Sequence, residues 1–219
     1  MRTKWYFWPA ALLSSALALG LVEGAPAQTL ERNALTAEGI RPRLSVAWQL
    51  GISSSLGPLV SDTMLVMRQI GAVGVGLSAD YSFTRVLGVE AALAWTPSTV
   101  AMTDWEQTVD RTAAVWLGSL RARILAGASP NYALVLTPGV GMVDRRGAAW
   151  RGMQGMRRAA LVFGAGLSFL GQGPFSYGIE VQDYLSRAAY RDSIGTAFST
   201  RLHNDLLVTF SVRYAVIVR

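Results

Sequence analysis

The sequence contains no cysteine and a single histidine, His203, and both shortages exclude kinds of functional site. Without thiols the chain can form neither a disulfide nor a thiolate metal site, and one histidine cannot build a multi-histidine metal centre. Charged residues are also scarce, at 16% of 219 residues, although the formal net charge is +6. The sequence therefore indicates no metal and no other cofactor.

The sequence also lacks an apolar run of helix length beyond residue 22, although 51% of its residues are apolar. Arg2 and Lys4 lie just before the apolar stretch 5–22, and Ala25 and Ala27 provide small residues for cleavage after it. This pattern is typical of a secretory signal peptide, so we expect residues 1–27 to be removed; an uncleaved membrane anchor is the alternative. Residues 28–41 are predicted to form a short N-terminal extension.

The remaining residues, 42–219, alternate between apolar and small or polar side chains with the period of a β-strand. The alternation is most regular in 202–218, which is longer than the roughly 5 to 6 residues of a typical strand and suits the about 9 to 11 that cross a bilayer. Its apolar face is predicted to carry Leu202, Leu206, Val208, Phe210, Val212, Tyr214, Val216 and Val218. Its other face carries His203, Asp205, Thr209, Ser211 and Arg213.

Seven more strands follow from the same pattern, and two of them contain irregular positions. The predicted strands are 42–52, 70–83, 87–95, 113–126, 132–142, 159–169 and 175–182. Val115 and Leu117 fall on the wrong face of the fourth strand, which predicts a β-bulge near Gly118. Pro138 disturbs the fifth strand, because proline cannot donate a hydrogen bond to a sheet.

Short and long connections alternate between these strands, as in an up-and-down barrel with tight turns at one rim and large loops at the other. Glycines occupy many positions of the second face, where they leave room in a narrow lumen. Apolar-face aromatics gather beside the short turns, as in a membrane-interface belt: Tyr81, Phe83, Tyr132, Phe169, Phe175, Tyr177 and Tyr214. The sequence therefore predicts an all-β, eight-stranded antiparallel up-and-down transmembrane β-barrel over 42–219.

With this architecture, and with the hairpin sequence Asp80-Tyr-Ser-Phe-Thr-Arg-Val-Leu-Gly-Val-Glu90, the chain resembles the small outer-membrane β-barrels of the OmpA transmembrane domain and OmpX type. The resemblance implies a protein of the Gram-negative cell envelope, exported through the periplasm to the outer membrane. It also implies a structural or surface-interaction role without catalytic residues, and insertion by the barrel-assembly machinery. The alternating C-terminal signal for insertion is kept by Phe210, Tyr214, Val216 and Val218, although the chain ends on Arg219 where the family usually ends on an aromatic residue.

Six charged residues are predicted to face the lumen near the short-turn rim: Asp80, Glu90, Arg121, Arg123, Glu180 and Arg213. Strand order predicts that Glu90 neighbours Arg121 and Arg123, and that Glu180 neighbours Arg213. Because side chains just fill the interior of an eight-stranded barrel and buried charges need partners, these residues are expected to plug the lumen. An ion or proton pathway is the alternative role for this layer.

His203 and Asp205 support a different function, since a histidine oriented by a carboxylate is half of a hydrolytic site. The alternative protein is then an outer-membrane hydrolase, resembling a lipid A deacylase or a protease, with Ser193 or Ser199 as nucleophile. A solvated pair at the large-loop rim is the simpler interpretation. A second alternative is a soluble secreted barrel that binds a small apolar ligand.

The third large loop, 144–158, is rich in arginine, a residue that binds phosphate through two parallel hydrogen bonds. We expect outer-membrane lipid and lipopolysaccharide as partners, with phosphate contacts from Arg145, Arg146, Arg151, Arg157 and Arg158. An unspecialised basic loop is the alternative. Nucleic acid is not expected, because the loop offers only Trp150 as a surface on which bases could stack.

Overall fold

The computed structural model describes residues 43–61, 65–84, 86–104, 107–129, 132–170, 174–188, 190–191 and 201–216. All of them belong to the compact unit Ile40–Arg219. The expected signal peptide, 1–27, and the extension 28–41 lie outside the described residues, as do Ser193 and Ser199. Among the described residues, no helix is long and apolar enough to cross a membrane.

Nearly all of the described chain is antiparallel β-sheet, broken by one 3-10 turn at Ala148–Trp150. The strands are β1 (Arg43–Ser55), β2 (Val60–Ser61), β3 (Val66–Ile70), β4 (Ala72–Ser82), β5 (Leu87–Thr103), β6 (Thr108–Ala128), β7 (Tyr132–Leu136), β8 (Gly139–Arg146), β9 (Arg157–Leu170), β10 (Phe175–Ala188) and β11 (Arg201–Val216).

The hydrogen-bonded ring closes through eight strand positions, which confirms the predicted fold. Its order is β1, β4, β5, β6, β7 with β8, β9, β10 and β11, and β11 pairs again with β1. β7 and β8 share one position because the strand is interrupted at Thr137 and Pro138, where proline has no N–H to donate. A closed ring leaves no unpaired sheet edge, which is the condition for β-structure inside lipid.

The two faces of the ring differ as the alternation predicts. On β1, Trp48, Leu50 and Ile52 lie on the outer wall with 72%, 56% and 58% of their surfaces exposed. On the alternate positions of β1, Gln49 and Ser53 point into the lumen and are buried. The barrel is therefore apolar outside and partly polar inside, the reverse of a water-soluble protein.

Gly71 is a β-bulge that joins β3 and β4 into one bent strand. Both strands pair with β5, but the register changes by one residue between Val75↔Trp95 and Ile70↔Thr99. The extra residue reverses the faces, so that Met67 is buried inside and Ile70 is exposed outside. A segment predicted to be part of a large loop is thus a continuation of the barrel wall.

The second predicted large loop, 96–112, is also mostly strand. β5 continues to Thr103 and β6 begins at Thr108, and β6 pairs with β5 along the whole length of β5. Only 104–107 connect them, with the backbone N–H of Gln107 donating to the Asp104 carboxylate at 2.8 Å. This rim therefore carries a long β-hairpin.

The prediction of a β-bulge near Gly118 was wrong. The register of β5 and β6 is continuous from Leu87↔Ile124 to Thr103↔Thr108, and the irregularity lies instead between Leu125 and Gly127, against β7. Val115 and Leu117 point into the lumen, where they are fully buried. They belong to an apolar layer inside the lumen, which is formed by Ala94, Val115, Leu117, Val143, Ala160, Val162, Tyr184 and Leu207.

Candidate functional site

The lumen near the short-turn rim contains a network of ion pairs centred on Arg121. Its Nη2 is 2.7 Å from Oε1 of Glu90, and its Nη1 is 2.6 Å from Oε1 of Glu180. The Thr137 hydroxyl donates to the same Glu180 oxygen at 2.5 Å. The Arg121 side chain is fully buried, so its charge is compensated by two carboxylates rather than by water.

The other half of this network is centred on Asp80. The Nε of Arg213 is 3.1 Å from Oδ1 of Asp80, and its Nη2 donates to Glu90 at 3.3 Å. Arg123 approaches Asp80 at 4.0 Å, and the hydroxyl of Ser45 donates to the same carboxylate. All six predicted lumen residues therefore lie in one connected layer.

Two pairings differ from the expectation. Glu180 was expected beside Arg213 on the next strand, but it pairs with Arg121, and Arg123 approaches Asp80 rather than Glu90. The physical reason is the narrow lumen. Long side chains reach across it to strands that are not neighbours in the sheet, and β6 and β10 are separated by two intervening strand positions.

Glycines give this layer its room, as the alternation predicts. A Cβ built on Gly164 would lie 2.1 Å from Oγ1 of Thr137 and 2.6 Å from Oε1 of Glu180. A Cβ on Gly139 would lie 2.6 Å from the Cα of Arg121. What remains is a cavity of about 30 Å³ bordered by Glu90, Glu180 and other residues of the network.

Among the described residues, the lumen near the large-loop rim contains one isolated ion pair, which the alternation of the sequence did not predict. The Nη2 of Arg145 on β8 donates to both carboxylate oxygens of Asp205 on β11, each at 2.6 Å. Both side chains are completely buried. Nε and Nη1 of Arg145 find no hydrogen-bond partner among the described residues, so Asp205 is the one carboxylate that compensates this charge there.

An apolar cluster covers this pair from the large-loop side. It is formed by Leu59, Val60, Met67, Val100, Ala113, Ala149, Trp150 and Tyr190. The rings of Trp150 and Tyr190 stack with their centroids 5.6 Å apart, and the guanidinium of Arg158 lies 5.1 Å from the Tyr190 centroid. Burial raises the pKa of the Tyr190 hydroxyl.

The arginines predicted to bind phosphate occupy three different environments. Arg145 is sealed in the lumen, and Arg158 points inward, donating to the Arg187 carbonyl at 3.1 Å. Arg151 is exposed on the turn that follows the 3-10 segment. Arg146 and Arg157 lie on the outer wall and bracket the Asp144 carboxylate, at 2.8 and 3.3 Å.

No protein-family model matches the sequence, and a search of curated proteins finds no match. Solved structures do match. Neisserial surface protein A, NspA, superposes with a TM-score of 0.56 at 10% identity, over 81% of this chain and 99% of that one. Outer membrane protein AlkL, determined in lipid bilayers, superposes with a TM-score of 0.54 at 12% identity, over 90% and 98%.

The fold is that of the small outer-membrane β-barrels. At identities this low the likeness establishes the architecture and nothing about activity. The resemblance to the OmpA and OmpX type predicted from the sequence is confirmed at that level.

Within this outer-membrane barrel fold, the interpretation of His203 and Asp205 as a solvated rim pair was wrong, because both side chains are buried. They do not form the alternative, a hydrolytic pair, because Asp205 pairs with Arg145 instead. Both oxygens of Asp205 accept hydrogen bonds from Arg145, and Nε2 of His203 has no hydrogen-bond partner among the described residues. The cross-strand neighbour of His203 is Ser186, yet both side chains are at most 3% exposed. A substrate would therefore have to displace the apolar cluster to reach them.

Proposed function

We propose that this protein is an outer-membrane β-barrel with a structural or surface-interaction role, whose lumen is closed by its own side chains. The observation that carries the proposal is the contrast between the two faces of one ring. The outer face is a continuous apolar wall, and the inner face is filled by paired charges and apolar layers.

The outer wall supports a position in a membrane. Large apolar side chains of every strand position are exposed, among them Trp48, Leu77, Leu120, Phe163 and Phe210. Soluble monomers rarely expose contiguous apolar patches larger than a few hundred Å². This wall argues against the soluble secreted barrel, because such a barrel would leave it in contact with water.

The packing of the lumen supports a closed barrel. From the short-turn rim inward, the side chains form the ion-pair network of Arg121, the apolar layer of Leu117, the Arg145–Asp205 pair and the apolar cluster of Trp150. The cavity beside the network has a volume of about 30 Å³ and is bordered by the charged side chains of Glu90, Glu180 and Arg213. These layers favour a plug over an ion pathway.

The environment of His203 supports a role without catalysis. A general base needs an accessible ring nitrogen near the proton it removes. Here the ring lies beneath the apolar cluster, and its expected carboxylate partner is bound by Arg145. We expect no hydrolysis of lipid A or peptides by the native protein; a hydrolytic activity lost in His203→Ala would overturn this part of the proposal.

Cell fractionation with heat-shift electrophoresis tests the proposal. We expect the protein in the outer-membrane fraction, extracted by detergent, and migrating faster before boiling than after it. N-terminal sequencing of that material should begin at residue 28, because the leader 1–27 is expected to be removed. Protein that remains soluble in the periplasm or the medium, without detergent, would contradict a membrane position.

A further inference from the structure

Two arginines lie on the outer wall of the barrel, just beyond its apolar band. Arg146 ends β8 and Arg157 begins β9, and their side chains are 60% and 64% exposed. Each shares the outward parity of its strand, since Val140 on β8 and Leu161 on β9 are exposed apolar residues. The two guanidinium groups therefore point away from the lumen.

Asp144 fixes these two guanidinium groups in place. Its Oδ2 accepts from Nε and Nη2 of Arg146 at 3.0 and 2.8 Å, and from Nη2 of Arg157 at 3.3 Å. The carboxylate side chain is only 9% exposed, whereas both arginines are open to solvent. One carboxylate neutralises one of two positive charges, so the cluster keeps a net positive charge and several outward N–H donors.

A third arginine extends the cluster along the wall. Arg187 on β10 has the outward parity of Val181 and is exposed. It follows Ser186, whose partner on β9 is Ala160, so Arg187 is a diagonal neighbour of Arg157. Such neighbours have Cα atoms about 7 to 8 Å apart, within reach of long side chains.

We propose that Arg146, Arg157 and Arg187 form a binding site for the phosphate group of a membrane lipid. Guanidinium forks match phosphate oxygens in two-point geometry, and here two of them are oriented before the ligand arrives. Trp116, which pairs with Asp144, packs against Trp95 at 6.3 Å between centroids. Tryptophan gathers at the headgroup level of membranes, and that is where a lipid phosphate lies.

The proposed site depends on the proposed membrane position. It specifies that the lipid in contact with the wall at this point carries a phosphate group. Two sources provide that phosphate: the lipid A portion of lipopolysaccharide and ordinary phospholipid. Of the arginines expected from sequence, the site retains Arg146 and Arg157. It excludes the inward Arg145 and Arg158, and also Arg151, which lies on the turn after the 3-10 segment. It adds Arg187, which lies on another strand.

Native mass spectrometry of the detergent-purified barrel tests this site. The protein is titrated with lipid A, with enzymatically dephosphorylated lipid A and with phosphatidylglycerol. The double variant Arg146→Gln/Arg157→Gln is compared with Arg151→Gln/Arg191→Gln, which removes the same charge from exposed arginines of the large-loop rim. We expect lipid A binding about tenfold or more weaker in the first variant and unchanged in the second.

The lipid series identifies the recognised group. Loss of binding on dephosphorylation supports the site, and phosphatidylglycerol binding that the double variant also weakens would support it with phospholipid as the source. Equal weakening in both double variants, or unchanged binding in the first, would overturn it. Heat-shift electrophoresis checks that each variant is folded, and Arg187→Gln should show a smaller loss of the same kind.

Because the titration is done in detergent, it reports on the site wherever the protein fractionates in the cell. A soluble location with intact phosphate binding would refute the membrane position alone. A membrane location without phosphate binding would refute the site alone.

Discussion

The two ends of the lumen bury charge in different ways. At the short-turn rim, Arg121, Glu90 and Asp80 belong to a network in which most members have two partners, and its outer members are 16–19% exposed. At the large-loop rim, Arg145 and Asp205 form one pair that is fully sealed. A shared network can redistribute its contacts after a loss, whereas a sealed pair cannot.

The largest effect is expected from breaking the sealed pair. Asp205→Ala leaves the Arg145 guanidinium buried without a carboxylate, and breaking a buried pair in this way costs about 3 to 5 kcal/mol. Urea unfolding of the barrel refolded in lipid vesicles measures the free energy of unfolding.

The double variant Arg145→Met/Asp205→Leu is the matched control for that loss. It removes both charges and keeps apolar volume in a region already bordered by Val143 and Leu207, so most of the lost stability should return. If the double variant is as unstable as Asp205→Ala, the loss comes from packing rather than from an uncompensated charge.

A smaller effect is expected in the network. Glu90→Ala removes one carboxylate, but Arg121 keeps Glu180 and Arg213 keeps Asp80. The loss should be about 1.5 to 3 kcal/mol, the range for hydrogen bonds to charged groups, and below that of Asp205→Ala in the same unfolding assay. A loss equal to or above that of Asp205→Ala would show that the network does not redistribute its contacts.

The smallest effect is expected from filling the space that glycine leaves. The Cβ of Gly164→Ala would collide with Thr137 and Glu180, and overpacking of this kind costs about 1 to 3 kcal/mol. Gly127→Ala is the control, because nothing lies within 4 Å of its added Cβ. Similar unfolding curves for both variants would mean that the network accommodates the added methyl group without a loss of stability.

Sequence alternation was enough to predict the eight strand positions and the outward residues, because period two is a direct property of a strand. It could not predict the bulge at Gly71, since one extra residue leaves each half of the strand with an intact alternation. It also misassigned Val115 and Leu117. Alternation distinguishes two faces, but it cannot show that a lumen contains an apolar layer.

The members of the candidate site were easier to predict than their partners. Inward parity identified Glu90, Arg121 and Glu180, while the contact between β6 and β10 depends on how the ring closes and how far a guanidinium reaches. Arg145 was not assigned to the lumen, for a different reason. It was assigned to a loop because β8 continues to Arg146, four residues beyond the end of the regular apolar alternation.

Planar-bilayer conductance tests the central claim, which is that packed side chains close the lumen near both of its rims. The native barrel, inserted into the bilayer and confirmed as folded by heat-shift electrophoresis, should produce no steady ion-conducting step. A stable open channel formed by the native protein would contradict the account.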